Sequence, residues 1–358
     1  MSMATEPLGK NDAGNFFEDF SVGRTLVHAT PLTLTMGDAS LYRALYGTRT
    51  AVQSADSFAR AIGYPQAPLD DLLVFHAVFG KTVPDISLNA VANLGYAEGV
   101  FNKAVYPGDT ISSVSEVIGV KENSNGKTGT VYVRTTGSNQ RGEVVVSYVR
   151  WVMVRKRDAQ NPAPDPVIPE LAKAVDPANL GAAVPPLSVA GWDTALSGSG
   201  FFWDDYEPDE RIDHVDGMTV EESDHMLATR LYQNTAKVHF NQHTEGQGRF
   251  GRRLIYGGHV ISLARALSFN GCQNAFHVAA INSGRHVAPL FAGETVYAWS
   301  EVLDRAEIAG RSDVGATRVR LVATKDRVCR DNPLMDGDGY AEGVILDFDM
   351  WVVLPRRG

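Results

Sequence analysis

The residues whose types could do chemistry lie between positions 234 and 262, where a histidine ahead of a helix is either a structural residue or a proton-transfer group. His239 stands in the run Asn234-Thr235-Ala236-Lys237-Val238-His239-Phe240-Asn241, ahead of a helix-like stretch that opens with Gly257-Gly258 and continues through Ser262. Imidazole titrates nearest neutrality, so one side chain can take a proton and later return it. Glycines at a helix start leave backbone N–H groups open to close approach, and such groups stabilise negative charge building on an oxygen. Other patterns carry less. His239 and His243 have a metal-ligand spacing, but the glutamate of a zinc-protease motif is missing between them, so no metal is expected. Gly246-Gln247-Gly248-Arg249-Phe250-Gly251 matches G-x-G-x-x-G literally, yet no strand precedes it and no acid partner follows at the usual distance. Arg249, Arg252, Arg253 and Arg285 form a basic group near the histidine that either holds phosphates or simply faces solvent.

The elements that must position these residues come as a repeat. Trp203-Asp204-Asp205-Tyr206 echoes Phe17-Glu18-Asp19-Phe20 at an offset of 186 residues, and the same offset pairs His28 with His214, Thr33 with Thr219, Asp38 with Asp224 and Tyr46 with Tyr232. Further on the offset drops to 185, matching Tyr106-Pro107-Gly108-Asp109-Thr110 with Phe291-Ala292-Gly293-Glu294-Thr295. Both copies close on a shared tryptophan, Trp151 and Trp351. So long a period makes each copy a domain. The expected division is residues 1–157, a Pro- and Ala-rich linker over 158–196, stiff and extended, and residues 197–358.

Within each copy one apolar helix is followed by strands. Helical spacing links Leu69, Leu72, Leu73, His76 and Phe79, and again Ile255, His259, Leu263, Ala266 and Leu267. Strand-like runs follow at 111–120, 131–135 and 144–154, then at 296–303, 317–324 and 344–354. In the last, Leu346, Phe348, Met350 and Val352 alternate with Asp347 and Asp349, which predicts a half-buried antiparallel strand. Helix and strands do not keep alternating, so the expected class is α+β, with an antiparallel sheet folded around a central helix in each copy.

Composition narrows the partners. The 358 residues carry a net charge of −9 with no basic stripe, which argues against nucleic acid and anionic membranes. Two cysteines, Cys272 and Cys329, make neither a disulfide framework nor a zinc cluster. The stretch from Met1 to Asn15 is polar and no run of 18 apolar residues occurs, so a cytoplasmic protein is expected.

The segment around His239, with the Gly257-Gly258 helix start, resembles the signature of the MaoC-like, or (R)-specific enoyl-CoA hydratase, family. Within it the chain is similar to the two-domain mesaconyl-CoA hydratases. That resemblance covers about residues 16–156 and 200–354 and implies a double hot-dog fold and a hydro-lyase acting on an acyl-CoA. It implies His239 as the base, Gly257 and Gly258 at the thioester oxygen with a hydroxyl contact from Ser262, and Arg252, Arg253 and Arg285 at the coenzyme A phosphates. Where the family has an acid, this chain has Asn234. Either Asn234 orients the water through its carbonyl oxygen while His239 moves the protons, or another acid, such as Asp224 or Glu245, supplies the carboxylate. At the matching positions the first copy has Thr48 and Gln53, neither of which is a base, so it is expected to be catalytically silent. No cofactor is implied beyond the coenzyme A of the substrate, and a homodimer is expected. A thioesterase on the same fold and an acyl-CoA-binding protein without activity are the competing readings.

Overall fold

The computed structural model describes residues 10, 13–330 and 332–357, so most of the polar stretch from Met1 lies outside the described residues. Ten long strands form one antiparallel sheet. The first half supplies β1 (Thr25–Thr33), β2 (Ala90–Phe101), β3 (Thr110–Glu122), β4 (Thr128–Ser138) and β5 (Val144–Arg155). The second supplies β6 (Arg211–Thr219), β7 (His277–His286), β8 (Thr295–Glu307), β9 (Val314–Lys325) and β10 (Val344–Pro355). Their order is β1-β3-β4-β5-β2-β7-β10-β9-β8-β6, so two five-stranded sheets meet edge to edge where β2 pairs with β7, Tyr96 opposite Gly284 and Val100 opposite Ala280. Joining the edges this way covers two rows of backbone groups that would otherwise be unpaired.

Each half-sheet wraps a central helix. In the first half, α1 (Met36–Tyr46) leads to α2 (Asp71–Thr82); in the second, α3 (Glu222–Leu231) leads to α4 (Gly257–Leu267). Both central helices are buried nearly all round because sheet covers one side and the other half of the molecule covers the rest. This is the double hot-dog architecture expected.

The repeated residues make repeated contacts. His28 is bonded to Ser115 Oγ at 2.7 Å and His214 to Ser300 Oγ at 2.8 Å, which gives this matched pair of histidines a structural place between strands. Gly129 lies under the Phe17 ring and Gly315 under the Trp203 ring, positions where a Cβ would collide with the aromatic side chain. Around the pseudo-twofold axis, residues meet their own counterparts: the Tyr232 hydroxyl donates to the Tyr46 hydroxyl at 2.9 Å, and His76 Nε2 is 3.1 Å from Ser262 Oγ.

Strand β10 differs from the sequence expectation. It is buried along almost its whole length rather than on one face. The reason is the Pro- and Ala-rich segment, which lies against the outer face of the sheet. Its Val175, Leu180, Val184 and Trp192 form one apolar cluster with Phe276, Ala316, Trp351 and Val353. Asp349, expected to face water, is buried and paired with Arg318 at 2.6 Å, and it accepts a bond from Asn282.

Candidate active site

The turn that carries His239 is short 3₁₀ helix, Lys237–His239, tied back when Leu254 N–H donates to the Val238 carbonyl at 3.0 Å. His239 Nδ1 lies 2.9 Å from the Leu254 carbonyl oxygen. A carbonyl only accepts, so Nδ1 carries the hydrogen and Nε2 keeps its lone pair. The ring stands edge-on to Tyr256, centroids 5.4 Å apart. Burial, with a smaller push from His225, pulls its pKa down to about 4 against the opposing bond to Leu254, so the imidazole is neutral at pH 7.

Tyr256 occupies the N-cap position of α4 without making any side-chain capping bond. The N–H groups of Gly257 and Gly258 therefore stay available at the positive end of the helix. Close approach by side chains explains both glycines. A Cβ on Gly257 would lie 2.5 Å from His286 Nε2, and one on Gly258 would strike the Tyr256 ring and lie 2.7 Å from His76 Cε1.

His286 is the main residue that sequence reasoning missed. It comes from the end of β7, packs on Gly257, and its Nε2 lies 3.4 Å from the Tyr96 hydroxyl, a residue of the first half. Burial and the neighbouring His239 hold its pKa at about 4. The faint signal was a histidine one residue beyond Arg285, already noted for phosphate binding.

The remaining site residues fall in different places. Asn234 is buried in the same loop as His239, and its Oδ1 accepts from Ala236 N–H at 2.9 Å. Its carbonyl oxygen is thus already engaged, leaving the amide NH₂ to address a ligand. Ser262 is fully buried between the central helices, where it accepts from the Tyr42 hydroxyl at 2.9 Å as well as meeting His76. That network, rather than the helix start, takes up its hydroxyl. Arg253 is ion-paired with Glu222. The exposed Arg252 lies 4.1 Å over the Phe291 ring, and the exposed Arg285 lies 6.0 Å from the Tyr340 ring. Asp224 accepts from Ser223, and Glu245 sits on the short outer helix Gln242–Glu245; no hydrogen bond joins either to His239. Among the described residues no three His, Cys, Asp or Glu side chains converge as a metal site would, and no helix is long and apolar enough to cross a membrane.

The corresponding place in the first half is built differently. Asp70 caps α2, accepting from Leu72 N–H at 2.9 Å, where the second half has the uncapped Tyr256. Gln53, at the position of His239, donates to the Phe276 carbonyl at 2.5 Å. The cavity lined by Thr48, Gln53, Asp70, Asp71 and Arg265 holds about 20 Å³, room for roughly one water.

Comparison with known proteins agrees with a double hot-dog fold. Residues 3–342 match the family described as mesaconyl-CoA hydratase. The chain belongs to that family. It is 61% identical over 351 residues to a β-methylmalyl-CoA dehydratase of Chloroflexus aurantiacus, covering 98% of this chain and 99% of that one. It is 58% identical to a mesaconyl-CoA hydratase of Cereibacter sphaeroides, covering 97% and 100%. Among solved structures, a putative MaoC-domain dehydratase of Chloroflexus aurantiacus superposes with a TM-score of 0.95 at 60% identity, covering 98% and 100%. A Mycobacterium tuberculosis protein with a double hot-dog fold shares the architecture at a TM-score of 0.72 and 24% identity, covering 96% and 99%.

Proposed function

We propose that this protein adds water to mesaconyl-CoA to form β-methylmalyl-CoA, and removes it in the reverse direction, with His239 as the proton-transfer group. The observation that carries this reading is the full-length likeness to two enzymes with those names, at 61% and 58% identity. The geometry around His239 supports it. Nε2, left unprotonated by the bond from Nδ1–H to Leu254, takes a proton from water as the oxygen bonds to the β-carbon. The double-bond electrons move toward the thioester, and the N–H groups of Gly257 and Gly258 meet the charge that collects on its oxygen. The imidazolium then returns the proton to the α-carbon, so one water is added and His239 is restored. Asn234 holds the water through its amide NH₂.

Arg252, Arg253 and Arg285 are assigned to the coenzyme A phosphates, Arg253 by exchanging Glu222 for the ligand. Residues 1–157 are assigned as a silent domain, 158–196 as the connection and 197–358 as the catalytic domain; Asp70 at the helix start and Gln53 at the base position support the silence of the first. A carboxylate capping α2 repels the oxyanion that the second half would welcome. The protein is assigned to the cytoplasm as a homodimer, with acyl-CoA as its substrate and no further cofactor. One assay tests the chemistry: mesaconyl-CoA is mixed with the protein while enoyl-thioester absorbance and free thiol are followed together. Hydration lowers the absorbance without releasing thiol. Thiol release identifies a thioesterase, and no change in either identifies a binder; both outcomes overturn the proposal.

A further inference from the structure

Arg150 is a guanidinium without an anion. Its side chain on β5 is fully buried. Nη2 donates to Thr82 Oγ1 at 2.7 Å and to Ser87 Oγ at 3.3 Å, and the group lies 4.2 Å over the Phe79 ring. Nε and Nη1 have no partner, and among the described residues no carboxylate pairs with it. Lys156, another buried cation, has Glu122. A desolvated charge is costly unless an opposite charge and hydrogen bonds accompany it.

The repeat shows that the fold does not require a charge there. Arg150 pairs across the sheet with Tyr96 and Val133; at the matching place in the second half, Met350 pairs with Ile281 and Val319. The charge therefore stands on one side of the pseudo-twofold only, and that side faces the His239 site. Paired residues of neighbouring strands share a face, so Arg150 lies beside Tyr96, whose hydroxyl is 3.4 Å from His286 Nε2, and His286 rests on Gly257. Phe79, under the guanidinium, is 5.8 Å from Tyr256.

We propose that Arg150 binds the free carboxylate at the far end of a dicarboxylic acyl group, through Nε and Nη1, and so selects this substrate class over simple enoyl thioesters. The proposal rests on the hydratase reading above. In the mesaconyl group the free carboxylate is attached to the carbon that receives the hydroxyl, so its anchor must lie near the catalytic base, within the wall formed by Tyr96, Phe79 and Tyr256. A bidentate guanidinium suits a carboxylate in both charge and shape.

The test compares mesaconyl-CoA with tiglyl-CoA, in which a methyl group replaces that carboxylate. In Arg150→Met, which copies Met350, kcat/KM for mesaconyl-CoA is expected to fall about 100-fold or more, with less than about a threefold change for tiglyl-CoA. The unliganded variant is expected to melt at the same temperature or higher, because an uncompensated buried charge is gone. Equal losses on both substrates, or no loss on mesaconyl-CoA, would overturn the assignment. Should Arg150→Met fail to fold, Arg150→Lys keeps the charge without the fork; it should lose activity on mesaconyl-CoA selectively, and an equal loss on both substrates again overturns it. Wild-type protein inactive on mesaconyl-CoA sinks the functional reading and this inference with it, whereas active wild type with an unselective variant sinks this inference alone.

Discussion

His239 combines an assigned hydrogen with a depressed pKa, and both follow from one carbonyl and from burial. His239→Ala should lower kcat by about 100-fold or more with little change in melting temperature, since proton transfer typically contributes that much; a variant retaining most of its activity would remove this residue from the mechanism. His76, His259 and His286 are held neutral by burial in the same way, with pKa values of about 3, 3 and 4. A histidine whose folded pKa lies below 6.5 binds its proton more readily when unfolded. Its stabilising effect is therefore complete above about pH 6.5 and drains away as pH falls toward 4. Asp70, pushed up to about 6 by burial and by Asp71, acts in the opposite sense, contributing at low pH and losing its effect as pH rises through 6. His214, also held at about 4 by burial, and His225, lowered by burial, add to the same side, so the histidines outweigh Asp70. The urea midpoint should drop steadily between pH 7 and pH 4.5, and a rise over that interval would contradict the assignment. His239 was legible in the sequence because the loop and the glycine-led helix are contiguous. His286 and Tyr96 were not, because they reach the site from strands far from that loop and from opposite halves. Arg150 leaves a trace in the sequence: the matched Trp151 and Trp351 align it with Met350, so a charge replaces an apolar residue within the repeat.

At the scale of elements, the segment over 158–196 carries more than its composition suggested. Trp192 stands edge-on to Phe58, 5.2 Å between centroids, packs against Phe276 at 5.3 Å, and donates to Asn274 Oδ1 at 3.1 Å. Trp192→Ala should cost about 3–5 kcal/mol of stability, the range for emptying a buried aromatic site, measured by urea unfolding. A change below about 1 kcal/mol would mean the segment is only a tether. Proline-rich composition suggested a stiff, extended connection, whereas the segment turns through two short 3₁₀ helices, Pro177–Asn179 and Val189–Gly191. Composition said nothing about what it covers, since packing against a sheet that is itself distant in sequence leaves no periodic trace. The strict alternation along β10 was likewise present, yet it could not reveal that a second layer buries Asp349 and Trp351 on the supposed solvent face.

The whole molecule behaves as one body despite its two copies. A single apolar cluster contains Tyr42, Phe75 and Phe79 from the first half with Tyr232, Val260 and Phe348 from the second, and the sheet is continuous through β2 and β7. Heating should therefore give one calorimetric transition; two resolved peaks would show that the halves unfold independently. The contacts on the pseudo-twofold carry a historical consequence. In a pair of identical chains, a residue on such an axis meets another copy of itself, as Tyr46 still meets Tyr232. His76 instead faces Ser262, an arrangement closed to identical chains, because any change would appear on both sides together. Placing both copies in one gene gave each side its own codon. From then on, an imidazole could evolve opposite a hydroxyl, and one helix start could acquire an aspartate while the other stayed open.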